Sequence, residues 1–343
     1  MPTLVAVTID TEEQWDWNAG WDRQAYSLDN IRDMPRFEER CACHGMRTTW
    51  FADSAVMEHA PSRDVMLGLA ARPGVELGMH IHPWIIPPYL SDAACGPRES
   101  YLHNHTPEQV HAKLSNVYEL FEDQGLRPRS FRGGRYSSGG AIHDFLRSKN
   151  FVADSSVVPF TTWPDDGAPD FHDRDLSPRR VGASPSGQGL WEVPLTLGFT
   201  RPDFRRWADR FEAIQRSALR RLRLIGILGK LGFVQRVWLN FECTRADAML
   251  ALLRVLRPMQ LPHLILTVHS TSLVPGGNPY SATEERVRQI WATVDQVLGT
   301  VASWDEVRPA TVGEIADTLE AEYQRSVRAP ARPVYAGTRP TGP

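Results

Sequence analysis

The chain has few cysteines, no excess of positive charge and no long apolar run, and each shortage removes a class of protein. Four cysteines among 343 residues, Cys41, Cys43, Cys95 and Cys243, are too few and too scattered for a disulfide framework. Cys41 and Cys43 have no second Cys/His pair at zinc-finger spacing, so both are expected as buried helix thiols. Lys+Arg number 38 against Asp+Glu 41, a formal net charge of -3, which argues against a basic surface held to nucleic acid. No uninterrupted apolar run approaches the roughly 20 residues of a membrane span. The opening MPTLVAVTID lacks a basic n-region, and its apolar run stops at Asp10, so no targeting segment is read there and a cytoplasmic protein is expected.

What is present is a rhythm of short apolar runs alternating with amphipathic ones. Leu4 to Ile9, Thr48 to Ala52, Val75 to His82, Arg129 to Arg132, Phe151 to Ser155, Trp191 to Leu197, Val237 to Phe241 and Leu264 to His269 read as strands, most of them ending in polar residues. Asn30 to His44, Pro107 to Gln124, Ala141 to Lys149, Ala246 to Leu256 and Ala282 to Leu298 read as helices. Thr106, Pro107 and Gln109 form a capping box with proline at the first helical position. Strands alternating with helices predict an α/β protein with a parallel sheet. This number of repeats predicts a single distorted (β/α) barrel of seven or eight parallel strands, with reactive groups at the strands' C-terminal ends.

One domain over residues 1–322 is expected, with insertions at about 157–190 and 202–236. The first, rich in Pro, Asp, Gly and Ser, reads as a long loop excursion forming a rim. The second, Arg205 to Arg236, is a basic amphipathic helical insertion, read as a solvated face or as a surface for peripheral contact with the inner face of an anionic membrane. Residues 323–343 are proline-rich and expected as a disordered tail.

The first strand runs into Asp10-Thr11-Glu12-Glu13, and alternation puts Asp10 and Glu12 on one side. The third ends in His80-Ile81-His82-Pro83-Trp84, whose two imidazoles share a face and can reach one divalent cation. Glu12 would complete a two-His-one-carboxylate site with open positions.

TIDTEE, GMHIHPW, SFRGGRY, the ADSS segment and LILTVHS, in that order, resemble the motifs of the polysaccharide deacetylases, carbohydrate esterase family four, whose homology domain is a distorted (β/α) barrel. The resemblance spans most of residues 3–320. It departs from the family in the Asp-x-Glu spacing, in His-x-His where the family has His, three residues, His, and in two glycines replacing prolines. It implies Asp10 as general base, Glu12, His80 and His82 as metal ligands, and His269 as the acid that protonates the leaving amine. His103 and His105 of LHNHT stay open as alternatives to His82. Arg132 would pair with Asp10, Asp154 would orient His269, and a backbone N–H near Arg135 or Tyr136 would face the oxyanion. Leu266 or Val268 would shape an acetyl-methyl pocket.

The activity implied is a metal-dependent hydrolase removing N-acetyl groups from an amino sugar of a surface-polysaccharide precursor. The ion would be divalent, Zn2+ first, with Co2+, Mn2+ or Ni2+ as alternatives. Eleven Trp residues are many for this length, and Trp15, Trp17, Trp21, Trp84 and Trp163 lie near the reactive end, where indoles can pack on sugar faces. Two rivals stand beside this reading: a metal-dependent hydrolase of cyclic imides or ureides, and an inactive carbohydrate-binding or scaffolding protein.

Overall fold

The computed structural model describes residues 2–17, 20–21, 23, 26–89, 95–164, 166–217 and 233–328. Its strands are β1 (Thr3–Thr11), β2 (Gln14–Trp15), β3 (Tyr26–Ser27), β4 (Thr48–Ala52), β5 (Val75–Ile81), β6 (Ser130–Gly133) and β7 (Ala153–Asp154) in the first half. They continue with β8 (Arg179–Ala183), β9 (Gly189–Glu192), β10 (Leu197–Phe199), β11 (Arg236–Trp238), β12 (His263–His269) and β13 (Val307–Pro309). The helices are α1 (Met34–Cys43), α2 (Ser54–Glu58), α3 (Ala60–Ala70), α4 (Pro107–Glu122), α5 (Gly140–Ser148), α6 (Phe204–Arg216), α7 (Ala246–Leu256), α8 (Glu284–Ala302) and α9 (Val312–Arg328).

The main sheet runs β12-β1-β4-β5-β6-β7-β9-β8, with β13 added on β1. Every pairing in it is parallel except β8 with β9. β1 is buried from Leu4 to Thr11 because it is central and covered on both faces. This is the distorted (β/α) barrel expected, and its distortion has a local cause. The run Trp191 to Leu197 does not form one strand: Pro194 has no N–H to give to a ladder, and the chain divides there into β9 and β10. β10 then pairs antiparallel with β11. Single hydrogen bonds, from Leu239 N to the Thr196 carbonyl and from Thr267 N to the Leu239 carbonyl, both 2.9 Å, carry the ring across the gap to β12.

Other expectations need correction. The helix expected from Asn30 opens as a 3-10 turn over Asp29–Asp33 before α1. α2 and α3 were not foreseen. Cys41 is buried but Cys43 is exposed. The tail does not begin at 323, because α9 continues to Arg328: Val312, Ile315, Ala316 and Leu319 recur at helical spacing and are buried. Its Glu320 binds Arg180 Nε and Trp191 Nε1, both at 2.9 Å. Of the basic insertion, α6 covers Phe204–Arg216, whereas 218–232 lies outside the described residues, as does 329–343 of the tail. Among the described residues no helix is long and apolar enough to cross a membrane.

Candidate active site

β1, β5, β6 and β12 lie close together in the sheet, and parallel strands bring their C-terminal ends to one mouth. Asp10 on β1 stands in register with His269 on β12, and His80 on β5 with Arg132 on β6. Local hydrogen bonds fix the turn after β1. Glu12 N donates to Ser270 Oγ at 3.1 Å, and Asn30 Nδ2 donates to the Glu12 carbonyl at 3.0 Å. Lys113, buried on α4, holds the loop after β5 by donating to the Pro83 carbonyl at 2.7 Å and the Ile86 carbonyl at 2.5 Å. Burial pushes its ammonium down to about 8.

Three acceptor atoms converge at that mouth. Glu12 Oε2 lies 3.6 Å from His80 Nε2 and 3.3 Å from His82 Nε2, and the two Nε2 atoms are 3.3 Å apart. The tautomers follow from the other ring nitrogens. His80 Nδ1 is 2.7 Å from the Arg132 carbonyl, which can only accept, and His82 Nδ1 is 2.8 Å from Glu13 Oε2. In neutral rings both Nε2 atoms then carry lone pairs, so acceptors face acceptors with no donor between them. A cation removes that repulsion. With bonds of about 2.0 to 2.1 Å, neighbouring ligand atoms of a tetrahedral site lie about 3.3 Å apart, so the donor set and its spacing fit a zinc-like ion.

Beside this cluster lie two buried ion pairs. Asp10 Oδ1 accepts from Arg132 Nη1 at 2.5 Å, and Arg132, wholly buried, also donates to Thr8 Oγ1, the Ser155 carbonyl and Ser155 Oγ. Its donors are therefore met, which a buried guanidinium requires. Asp10 Oδ2 is left 3.7 Å from His269 Nε2. The His269 ring donates from Nδ1 to Glu242 Oε1 at 2.6 Å, and its backbone N–H donates to Oε2 at 3.1 Å. Burial lowers the His269 pKa, but the carboxylates of Glu242, Glu12 and Asp10 outweigh it and raise it to about 10. For Glu12, burial opposes ionisation, and His269, His80 and His82 reverse it, holding the carboxyl below its ordinary range. Behind His82, burial raises Glu13 and a hydrogen bond from Asp53 opposes this, while burial and then Glu13 push Asp53 well up, so the proton lies on the Asp53 side of the pair.

The structure corrects two assignments and excludes one pair of alternatives. Asp154 does not orient His269; its Oδ2 binds His143 Nε2 at 2.9 Å and Ser138 Oγ at 2.6 Å, and its Oδ1 binds Ser156 N at 3.0 Å. Asp154 sits on β7 and shapes the Ser155-Ser156 turn that anchors Arg132, while Glu242, after β11, holds His269. Glu242 was legible in principle, since it follows the apolar run Val237 to Phe241 as Asp10 follows Leu4 to Ile9. Leu266 shapes no pocket. It is three residues from His269, and alternation turns it away from the cavity into the core. His103 and His105 are tied by Nε2 to the Gly167 carbonyl (3.0 Å) and the Glu99 carbonyl (2.7 Å), and neither joins the metal-ligating cluster.

The cavity above these groups, about 340 Å³, has aromatic walls. All five tryptophans singled out line it, together with Trp238, Tyr101, Tyr136 and Tyr280. Trp84 stacks on His82, with centroids 4.2 Å apart and planes 15° apart, and Trp163 from the loop excursion stacks on Tyr136 at 5.6 Å. Arg135 lies over Tyr101 at 3.9 Å. Arg135 and Tyr136 both have left-handed backbone, φ 50° and 63°, a strained conformation for non-glycine residues. The two glycines before them are needed for space: a Cβ on Gly133 would lie 2.1 Å from the Ser137 carbonyl oxygen, and one on Gly134 2.5 Å from His82 Cδ2.

No family model and no curated protein sequence matches the chain. Solved structures do. A Mycobacterium smegmatis protein assigned as a polysaccharide deacetylase is similar at 16% identity and TM-score 0.52, covering 94% of this chain and 92% of its own. The 4-alpha-glucanotransferase of Thermococcus litoralis is similar at 10% identity and TM-score 0.49, covering 92% of this chain and 40% of its own. A Bordetella bronchiseptica protein assigned as a polysaccharide deacetylase in O-antigen biosynthesis is similar at 14% identity and TM-score 0.36, covering 93% of this chain and 90% of its own. The first of these places the chain in the class of distorted (β/α) barrels. The particular barrel is the one that the M. smegmatis protein has, and the motif resemblance points to the same fold.

Proposed function

We propose that this chain is a metal-dependent carbohydrate deacetylase that removes the N-acetyl group from an amino sugar. The observation that carries the reading is the convergence of Glu12 Oε2, His80 Nε2 and His82 Nε2 beside the Asp10–Arg132 and His269–Glu242 pairs. A divalent ion held by Glu12, His80 and His82, Zn2+ before Co2+, Mn2+ or Ni2+, would polarise the amide carbonyl and lower the pKa of water to about 7.

The chain's own groups then divide the work. Asp10, oriented by Arg132, takes the proton of the attacking water through Oδ2, the oxygen that faces the mouth. His269, whose protonated form the Glu242 carboxylate favours, gives its Nε2 proton to the departing amine, so acetate and a free amino sugar leave. Glu242 fixes the ring by holding Nδ1–H and stabilises its charge. The left-handed turn at Arg135 and Tyr136 offers a backbone N–H to the developing oxyanion, an interaction whose loss costs about 2.7 to 4 kcal/mol in other hydrolases. The aromatic side chains that line the cavity would pack on the sugar ring. Its substrate would be a surface-polysaccharide precursor.

Two measurements test the reading. Metal analysis of protein purified without chelator should find about one divalent ion per chain, from the single ligand set of this mechanism. Acetate release from N-acetylated oligosaccharides should then require that ion. Metal-free protein with no rescue by zinc, cobalt or manganese would favour the binding-module alternative, and turnover of cyclic imides without acetate release would favour the other hydrolase.

A further inference from the structure

We infer that Glu13, backed by Asp53, is the positioning residue for His82: it sets the ring's tautomer and aims Nε2 at the metal. The inference rests on the proposed metal site and goes beyond it, since no motif of the resemblance gives this second glutamate a role.

The geometry is specific. Both Glu13 oxygens lie on His82 Nδ1, at 2.9 and 2.8 Å, while Glu12 Oε2 lies 3.3 Å from Nε2 of the same ring. Two consecutive glutamates therefore grip opposite ends of one imidazole, which is how Glu12-Glu13 can supply a ligand and that ligand's support together. Glu13 and Asp53 are wholly buried. Asp53 in turn is fixed: its Oδ1 accepts from Val56 N at 2.9 Å at the start of α2, and its Oδ2 accepts from the Glu13 backbone N–H at 3.4 Å. Trp84 covers one face of the ring, and Gly134 leaves the space its edge occupies.

His80 provides the contrast. Its Nδ1 donates to a neutral backbone carbonyl, that of Arg132, so the two histidine ligands have unlike partners. A carboxylate partner polarises the N–H more strongly and makes the opposite nitrogen a better donor, and loss of such a partner commonly costs about 10- to 100-fold in metal affinity. His82 is thus the stronger imidazole ligand of the pair, and Glu13 is the reason.

Competition of the full chain with a chromophoric chelator for Zn2+ tests this. Glu13→Ala should weaken zinc binding by about 10- to 100-fold, and Glu13→Gln by less, because the amide oxygen still accepts the Nδ1 proton. The same substitution in a His82→Ala background should cost nothing further. A second readout needs no metal: long-range proton–nitrogen NMR of the apo-protein should show His82 as the Nδ1–H tautomer in the wild type and a tautomer mixture in Glu13→Ala. Packing alone would not move that signal. Wild-type zinc affinity in Glu13→Ala, or an unchanged tautomer, overturns the inference. A wild-type chain that binds no zinc would instead overturn the metal-site reading, and the apo tautomer would still decide the role of Glu13.

Discussion

Strand β12 carries His269 at its C-terminal end and a second histidine, His263, at its start, and the second makes the strand acid-sensitive. His263 is buried at 2% exposure, its Nε2 is 2.8 Å from the Pro194 carbonyl, and its Nδ1 has no partner. Burial, only partly opposed by the Pro194 hydrogen bond, lowers its pKa from 6.5 to about 4. An unfolded chain protonates this ring below about pH 6.5, whereas the folded chain resists until about pH 4. Between those values the unfolded state binds more protons, so stability falls as pH falls. The full loss, about 2.5 pKa units, is roughly 3 kcal/mol, and about 2 kcal/mol of it comes between pH 7 and pH 5. His263→Gln keeps a donor for Pro194 and cannot titrate. It should cost about 1 kcal/mol at pH 7 through poorer geometry, but lose about 2 kcal/mol less than the wild type on going to pH 5. Urea unfolding followed by tryptophan fluorescence, in chelator at both pH values, measures this. Equal losses in the two proteins would refute the reasoning.

Three substitutions probe the mouth of the barrel. Asp10→Asn should retain metal and lose turnover, whereas His80→Ala should lose both, as read by metal analysis and acetate release; activity in Asp10→Asn would remove the general base from the mechanism. Glu242→Ala should lower kcat by about 10²- to 10⁴-fold, the usual worth of an acid catalyst, with zinc affinity unchanged. Gly134→Ala would bring a methyl group 2.3 Å from the Ile81 carbonyl oxygen and 2.5 Å from His82 Cδ2, so zinc affinity should fall; wild-type affinity would mean the ring has another place to go.

What could be read from the sequence depended on range. Thr106 and Gln109 bond each other's backbone as their spacing requires, because a capping box is complete within four residues. His80 and His82 share a face because a strand alternates, whichever strand it is. The misreadings were of partners distant in sequence. Nothing local distinguishes Asp154 from Glu242 as the partner of His269; only the ladder that puts Asn240 beside Thr267 does so. The α9 helix was missed for another reason. Val312, Ile315, Ala316 and Leu319 recur at helical spacing, but Glu320 is a buried residue only because Arg180 and Trp191 meet it there. Leu266 is different: the alternation that places His269 at the mouth also turns Leu266 away from it, and no distant partner is needed to see this.

The carboxyl groups around the mouth are unevenly paired, and the unpaired one points to a cation. Asp10, Glu12, Glu13 and Glu242 are buried carboxyl groups at or just behind the mouth. Among these, Arg132 is paired with Asp10 and His269 with Glu242, whereas Glu12 faces only the two imidazoles of His80 and His82. Buried charge of one sign is costly, so a fold with this core is destabilised until a divalent cation enters. Zinc should therefore act on folding as well as on turnover. Held at about 100 times its Kd, it should add about 2.7 kcal/mol to the unfolding free energy, seen as a rise in Tm over chelator-treated protein. His80→Ala, which removes a ligand but none of the carboxylates, should abolish that rise. A Tm indifferent to zinc in the wild type would mean that the site's charge is balanced in some other way.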